Sequence, residues 1–140
     1  MMMPAQTNKP TDSSKRKVRI LIVDDEPDIT LALKIGLEYS GFILADTLNN
    51  PVLALEKFRK WMYDLIILDI NMPNMDGFEL YAKLRNIDTK VRVCFLTALS
   101  DLQDYEEFNE QAFPKDDQKY FIQKPIAIDD LIKVLRIIPR

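Results

Sequence analysis

Histidine is absent from this sequence of 140 residues, and cysteine and glycine are rare. Without histidine the chain cannot form a His-based zinc site, a histidine-dependent catalytic triad or a phosphohistidine of its own. The three glycines form neither a GxGxxG nor a GxxxxGK[ST] phosphate loop, so the standard nucleotide-binding motifs are missing. The single cysteine, Cys94, cannot form an internal disulfide, which is typical of a protein of the reducing cytoplasm.

Long hydrophobic runs are also missing. The apolar runs are only a few residues long, too short to cross a membrane. Residues 1–17 are polar, lack the apolar stretch of a signal peptide and are predicted to form a flexible tail. The tail has four cations against one acid, a net +3, which leaves −6 for residues 18–140 within a total of −3. The mildly acidic total gives no reason to expect direct nucleic acid binding, and the short apolar runs give none to expect a membrane partner.

Short apolar runs alternate five times with amphipathic stretches. Strands are predicted at Val18–Val23, Phe42–Ala45, Leu65–Leu68, Val91–Leu96 and Tyr120–Ile122. Helices are predicted at Pro27–Ser40, from Asn50 and Pro51 through Leu55, Phe58 and Met62, and at Gly77–Asn86, Ser100–Phe113 and Ile128–Ile138. This alternation predicts an α/β fold, a doubly wound five-stranded parallel sheet flanked by five helices.

Polar side chains follow four of the predicted strands. Asp24 and Asp25 follow the first strand, Asp69 and Asn71 the third, Thr97 the fourth and Lys124 the fifth. In doubly wound sheets, ligands bind beyond the carboxyl ends of the strands, so these residues are expected at one shared site. The second strand ends in Asp46 and Thr47, to one side of it.

Carboxylates held this close repel one another, and the repulsion would raise the pKa of at least one of them. A divalent cation removes the repulsion, and hard oxygen ligands with room for water favour Mg²⁺ over zinc. Thr97 could donate a hydrogen bond to a phosphoryl oxygen, and Lys124 could balance its charge. The set of residues therefore predicts Mg²⁺-dependent transfer of a phosphoryl group to Asp69.

Each of these residues also has a purely structural interpretation. Asp24 or Asp25 could cap the following helix, and Asp69 could start a turn. Thr97 could begin a helix, and Lys124 could be a solvated surface charge. These alternatives stay open for any one residue, but the joint occurrence at four strand ends favours a common site.

Four stretches of the sequence together resemble the receiver domain of two-component response regulators, the family that includes the chemotaxis regulators. They are ILIVDDEPD, DLIILDINMPNMDGFEL, CFLTA and FIQKP, in family order, and they cover the chain from about Val18 to Ile138. The resemblance implies a flavodoxin-like receiver fold over residues 18–140. The stretch from Thr97 to Lys124 is a few residues longer than is usual in the family.

The resemblance also implies a role for each matching residue. Asp69 would accept a phosphoryl group from a phosphohistidine on a sensor histidine kinase or a phosphotransfer protein. Mg²⁺ would be bound directly by Asp25 and chiefly through water by Asp24. Asp69 and the main-chain carbonyl of Asn71 would complete the metal site. Thr97 would bond a phosphoryl oxygen, and Phe121 would be the switch aromatic. Lys124 would pair with the phosphoryl group, and its peptide bond to Pro125 would be cis.

The expected output is a phosphorylation-switched protein-interaction face made by the predicted helix at 100–113, the fifth strand and the last helix. The chain ends soon after Ile138, so output is expected through protein–protein contact, with a homodimer as one option. The implied protein is a cytoplasmic signalling phosphoacceptor rather than an enzyme, with at most self-catalysed phosphotransfer and autodephosphorylation.

Two other functions remain as alternatives. A haloacid-dehalogenase-like phosphatase also uses an aspartyl phosphate and Mg²⁺, but it needs a general acid two residues after the nucleophile, where this chain has Asn71. A receiver-like binding module that no longer uses phosphate is the second alternative, and the complete set of acids, Thr97 and Lys124 argues against it.

Overall fold

Within residues 16–98 and 119–137, which the computed structural model describes, strands and helices alternate along the chain. The strands are β1 (Val18–Val23), β2 (Ile43–Leu48), β3 (Leu65–Asp69), β4 (Arg92–Thr97) and β5 (Lys119–Gln123). The helices are α1 (Pro27–Glu38), α2 (Pro51–Lys57), α3 (Gly77–Ile87) and α4 (Ile128–Ile137). The predicted helix at Ser100–Phe113 and residues 1–15 of the predicted tail lie outside the described residues.

The five strands form one parallel sheet in the order β2-β1-β3-β4-β5. β3 is the middle strand and β1 lies beside it, with Val23 opposite Leu68, so the two strands end at the same level. The order changes direction at β1, which places the crevice of a doubly wound sheet beyond β1 and β3. The predicted α/β fold with a five-stranded parallel sheet is confirmed.

Apolar residues cover both faces of the sheet. One core cluster joins Leu21, Val23, Ile66, Leu68, Val93 and Phe95 to α2 and α3, through Ala54, Phe78, Leu80, Tyr81 and Leu84. The other joins Ile20, Ile22, Ile67, Cys94 and Leu96 to α1 and α4, through Leu33, Leu37, Leu131 and Leu135. The alternation of side chains along each strand therefore supplies two cores, as helices on both faces require.

The predicted course of α2 beyond Lys57 was wrong. Asn50 caps the helix as expected, because its Oδ1 accepts hydrogen bonds from the main-chain N–H groups of Val52 and Leu53, at 2.8 and 3.3 Å. The helix then ends at Lys57, and Phe58 is extended, with φ −67° and ψ 138°. Phe58 is buried and stacks on Tyr63 at 6.2 Å between ring centroids, so tertiary packing overrides the helical spacing of apolar residues.

Other boundaries differ less. β2 continues three residues past its predicted end at Ala45 because Asp46, Thr47 and Leu48 pair with the end of β1. Arg16, which the tail was expected to include, lies against the domain and forms an ion pair with Asp64 at 3.2 Å. In the described part of the chain, no helix has the length and apolar character that crossing a bilayer requires.

Candidate functional site

Three carboxylates and one ammonium group meet at the carboxyl edge of the sheet. One carboxylate oxygen from each of Asp24, Asp25 and Asp69 lies within 4.8 Å of the others. The Nζ of Lys124 donates a hydrogen bond to Asp69 Oδ1 at 2.9 Å and lies 3.5 Å from Asp24 Oδ2. We call these four residues the acidic cup. The structure thus brings together side chains that are up to 100 residues apart in the sequence.

Asp24 is fully buried at the end of β1, and several groups fix it there. Its Oδ1 accepts a hydrogen bond from the main-chain N–H of Glu26 at 2.9 Å. The Nδ2 of Asn49 donates to the main-chain oxygen of Asp24 at 2.7 Å and to the buried Oγ1 of Thr30 at 3.0 Å. The N-cap of α1 is Glu26, without a side-chain cap, so Asp24 orders the turn before the helix rather than capping it.

Asn49 is the positioning residue that the sequence did not reveal. It follows β2, the strand that was expected to end to one side of the site. In the structure its amide ties the end of β2 to the end of β1 and to Thr30. A lone asparagine after a strand usually indicates a turn, so no pattern in the sequence distinguishes this role.

Asp69 is the last residue of β3, and it is also buried. The next residue, Ile70, donates from its main-chain N–H to Leu96 of β4 at 3.2 Å and accepts from Gly77 at 2.8 Å. The loop between β3 and α3 is therefore folded back tightly over the strand end. This anchoring fixes the main chain beside Asp69 and favours a site with a defined geometry rather than a plain surface turn.

Burial and neighbouring charges shift the pKa values of the two buried acids. Burial is the main cause that raises the pKa of Asp69 to about 6; the hydrogen bond from Lys124 opposes it, and the charge of Asp24 adds to it. The pKa of Asp24 is raised as well, again mainly by burial, against the hydrogen bond from Glu26. The raised pKa values agree in direction with the prediction for clustered carboxylates, but burial contributes more than the repulsion on which that prediction was based.

Lys124 partly compensates this negative charge. Burial lowers its pKa, but the hydrogen bond and the charge of Asp69, together with Asp24, outweigh burial and raise it overall. The side chain of Lys124 is only 23% exposed, so the interpretation as a solvated surface charge does not fit. The Lys124–Pro125 peptide bond is cis, as the resemblance implied.

The remaining predicted residues lie on β4, on β5 and in the loop after Asp69. Thr97 is the last residue of β4, one position beyond Leu96, which is opposite Asp69. Asn71 has an exposed side chain in the loop two residues beyond Asp69. Phe121, in β5, is half-buried, and its ring stacks on that of Phe95 with the centroids 5.1 Å apart.

The donor set of the acidic cup fits a hard divalent cation. Three carboxylates supply oxygen ligands only, and one ammonium group leaves an excess of negative charge among these four side chains. Oxygen ligands, together with the partial exposure of Asp25, suit Mg²⁺, which keeps several waters when it binds. The residues present therefore fit the ion that the sequence predicted.

Comparison with known proteins gives a consistent result. The response regulator receiver domain family matches residues 20–136 of this chain. The chain is 43% identical over 91 residues to the sensor protein EvgS of Escherichia coli K12, covering 65% of this chain and 8% of EvgS. It is 32% identical over 119 residues to the transcriptional regulatory protein TrcR of Mycobacterium tuberculosis, covering 85% of this chain and 44% of TrcR. The chain thus spans less than half the length of either relative.

Solved structures show the same likeness. The response regulator TrrA from Thermotoga maritima, in complex with Mg²⁺ and BeF, superposes with a TM-score of 0.65 at 30% identity, over 85% of this chain and 96% of TrrA. A CheY-like response regulator receiver domain protein from Methanospirillum hungatei gives a TM-score of 0.70 at 25% identity, over 86% of this chain and 91% of that one.

Proposed function

Since this chain belongs to the response regulator receiver domain family, we propose that it accepts a phosphoryl group on Asp69 and changes a protein-interaction face in response. The donor is a phosphohistidine on a sensor histidine kinase or a phosphotransfer protein, because the chain has no histidine of its own. The observation that carries the proposal is the pairing of Lys124 with buried Asp69, at 2.9 Å, beside two further carboxylates.

The residues of the acidic cup divide the chemistry between them. A carboxylate oxygen of Asp69 forms the new O–P bond while the N–P bond of the donor phosphohistidine breaks. Lys124, already at the carboxylate, balances the negative charge of the arriving phosphoryl oxygens. Asn49 and the folded β3–α3 loop hold the acids in place, so little reorganisation is needed during transfer.

Mg²⁺ is part of the proposal. The ion would be held by the carboxylates of Asp25 and Asp69, by the main-chain carbonyl of Asn71, and by Asp24 through water. When bound, the ion would supply the positive charge that offsets the carboxylates and the phosphoryl oxygens. In this proposal the hydroxyl of Thr97, at the end of β4, bonds one of those oxygens.

Phe121 is proposed to report the phosphorylated state. Its ring stacks on Phe95, which in turn meets Phe78 and Tyr81 of α3 edge to face, at 5.1 and 5.7 Å between centroids. A rotation of Phe121 would therefore be felt by the packing between the sheet and α3. We expect the aromatic NMR signals of Phe121 to differ between the free protein and its complex with Mg²⁺ and beryllofluoride; identical signals would contradict this role.

Chemical labelling tests the acceptor assignment. Acetyl phosphate with Mg²⁺ is expected to add the mass of one phosphoryl group to the intact protein. The Asp69→Asn variant should gain none, because an amide is not a nucleophile for this transfer. The matched control is Asp76→Asn, which removes an acid from the same β3–α3 loop, where Asp76 caps α3 outside the cup.

The outcomes separate the proposal from its rivals. Labelling of the wild type and of Asp76→Asn, but not of Asp69→Asn, is the expected pattern. Equal labelling of Asp69→Asn would show that another residue is the acceptor. We propose a phosphoacceptor rather than an enzyme acting on external substrates, so steady hydrolysis of p-nitrophenyl phosphate over many turnovers would contradict that part.

A further inference from the structure

Trp61 lies in the loop between α2 and β3 with an unusual combination of exposure and backbone conformation. Its side chain is 59% exposed, and its φ is +68°. A bulky residue rarely adopts this left-handed conformation, which persists only where the surroundings enforce it. Because all strands are parallel, this loop lies at the amino edge of the sheet, a strand length of about 17 Å from the acidic cup.

Two hydrogen bonds enforce the conformation. Arg19 donates from its guanidinium to the main-chain oxygen of Trp61 at 2.6 Å. The main-chain N–H of Trp61 donates to Oδ2 of Asp88 at 3.2 Å, and the other oxygen of Asp88 accepts from the N–H of Lys90 at 3.0 Å. Asp88 is buried, so one carboxylate joins the α2–β3 and α3–β4 loops and holds the indole outward.

Positive charge surrounds the exposed indole. Lys60 and Lys90 place their ammonium groups 5.0 and 5.8 Å from the centroid of its ring. Both lysines are exposed, and within residues 16–98 and 119–137 neither forms an ion pair with an acid. We call Trp61, Lys60, Lys90 and Arg19 the Trp61 platform.

We propose that the Trp61 platform docks an acidic polypeptide segment of a partner protein. Tryptophan and arginine are the residues that most often dominate binding energy at protein interfaces, and a preorganised aromatic loses little conformational freedom on binding. The two lysines complement carboxylates, Arg19 holds the main chain of Trp61, and the indole offers an apolar contact to an aliphatic or aromatic side chain of the segment.

The size of the platform favours an acidic segment over other anions. Surfaces that bind single-stranded nucleic acid stack successive bases on several aromatic rings, and the platform has one. An anionic membrane presents a wide negative surface, which would also meet the acidic remainder of the chain, net −6 over residues 18–140. A short acidic segment can contact the platform without meeting that charge.

The test uses the fluorescence of Trp61, which is the one tryptophan of the chain and so reports directly on the platform. Poly-L-glutamate at low ionic strength is expected to shift or quench this emission with saturation. The double variant Lys60→Glu/Lys90→Glu should bind at least about tenfold more weakly. The matched control is Lys83→Glu/Lys133→Glu, which changes the net charge equally at exposed positions on α3 and α4.

Each outcome decides the proposal. Weakened binding in the platform variant with near wild-type binding in the control supports it. An equal loss in both variants would show general charge attraction and overturn it, as would the absence of any response to poly-L-glutamate. Tighter binding of oligothymidylate or of phosphatidylserine vesicles would assign the platform to a different kind of partner. The Trp61→Leu variant should also bind poly-L-glutamate more weakly, as measured by calorimetry. Unchanged affinity would show that the indole takes no part in binding.

Discussion

At the scale of single residues, Gly77 lies directly against the main chain of Asp69, a member of the acidic cup. A Cβ added there would clash with the main-chain oxygen of Asp69 and lie 3.0 Å from Cα of Ile70. The N–H of Gly77 also closes the loop by donating to Ile70 at 2.8 Å. The close approach of two main-chain segments, rather than a special φ, is what requires glycine here.

Gly77→Ala should therefore affect both stability and the site. Because main-chain atoms cannot move aside as a side chain tip can, we expect a loss of about 1–3 kcal/mol in the free energy of unfolding. Displacement of Asp69 should also slow labelling by acetyl phosphate. Urea unfolding and intact mass measure the two effects, with Asn86→Ala at an exposed position of α3 as the control. Wild-type stability and labelling in Gly77→Ala would mean that the loop is not held as closely as described.

At the scale of secondary structure elements, β2 is an edge strand whose outer groups are partly covered. The main-chain oxygens of Phe42 and Leu48 accept hydrogen bonds from the β1 side. Since successive residues of a parallel strand alternate in direction, the main-chain N–H and C=O groups of Ile43, Ala45 and Thr47 point away from β1. Two side chains of α1 form hydrogen bonds with the outward main-chain groups of Ala45. Lys34 donates to its main-chain oxygen, and Glu38 accepts from its N–H at 2.9 Å.

This pair reproduces the hydrogen bonds that a neighbouring strand would make. Lys34 and Glu38 also pair with each other at 2.9 Å, and the bond to the N–H of Ala45 is the main cause that lowers the pKa of Glu38. Exposed edges invite pairing with other chains, and charged side chains are a common protection. The pair therefore guards the middle of the β2 edge.

Removing the guard should promote self-association. We expect Lys34→Met/Glu38→Met, which removes both the donor and the acceptor, to form larger species than the wild type at the same high concentration, as measured by size-exclusion chromatography with light scattering. The control Lys83→Met removes an exposed lysine from α3, away from the edge. If the double variant and the wild type elute alike at every concentration, the pair has no protective role.

The elements also show where prediction from sequence succeeds. The continuous apolar strands and the helix repeats predicted a doubly wound sheet, and strand-end position alone brought Asp24, Asp69 and Lys124 to one place. The end of α2 was missed, because the spacing of Phe58 and Met62 is helical, whereas in the structure Phe58 is extended, buried in the core and stacked on Tyr63. The bracing roles of Asn49 and Asp88 were also missed, since each depends on contacts with loops far away in sequence.

At the scale of the whole molecule, the two edges of the sheet differ in their charged groups. Three acids gather at the carboxyl edge, around Asp69. At the amino edge the lysines Lys60 and Lys90 lie beside the exposed Trp61, while two acids there, Asp64 and Asp88, accept hydrogen bonds from Arg16 and from main-chain N–H groups. The net charge of −3 averages over these two ends. Net charge therefore describes the chain as a whole, and the sign of the exposed charge has to be considered separately at each edge of the sheet.

The concentration of acids at one edge predicts a dependence of global stability on Mg²⁺. An ion that binds only the native cup raises the free energy of unfolding, by about 2.7 kcal/mol when its concentration is a hundred times its dissociation constant. Asp25→Asn removes one of the three carboxylates and its repulsion of Asp69. We expect this variant to be at least as stable as the wild type without Mg²⁺ and to gain much less from it. Urea unfolding followed by circular dichroism, with Mg²⁺ replaced by K⁺ at equal ionic strength, measures both effects.

The control is Asp28→Asn, an exposed acid of α1 outside the cup, which should respond like the wild type. A full Mg²⁺ response in Asp25→Asn, or an equal response to K⁺, would show that the acidic cup is not the site of the ion.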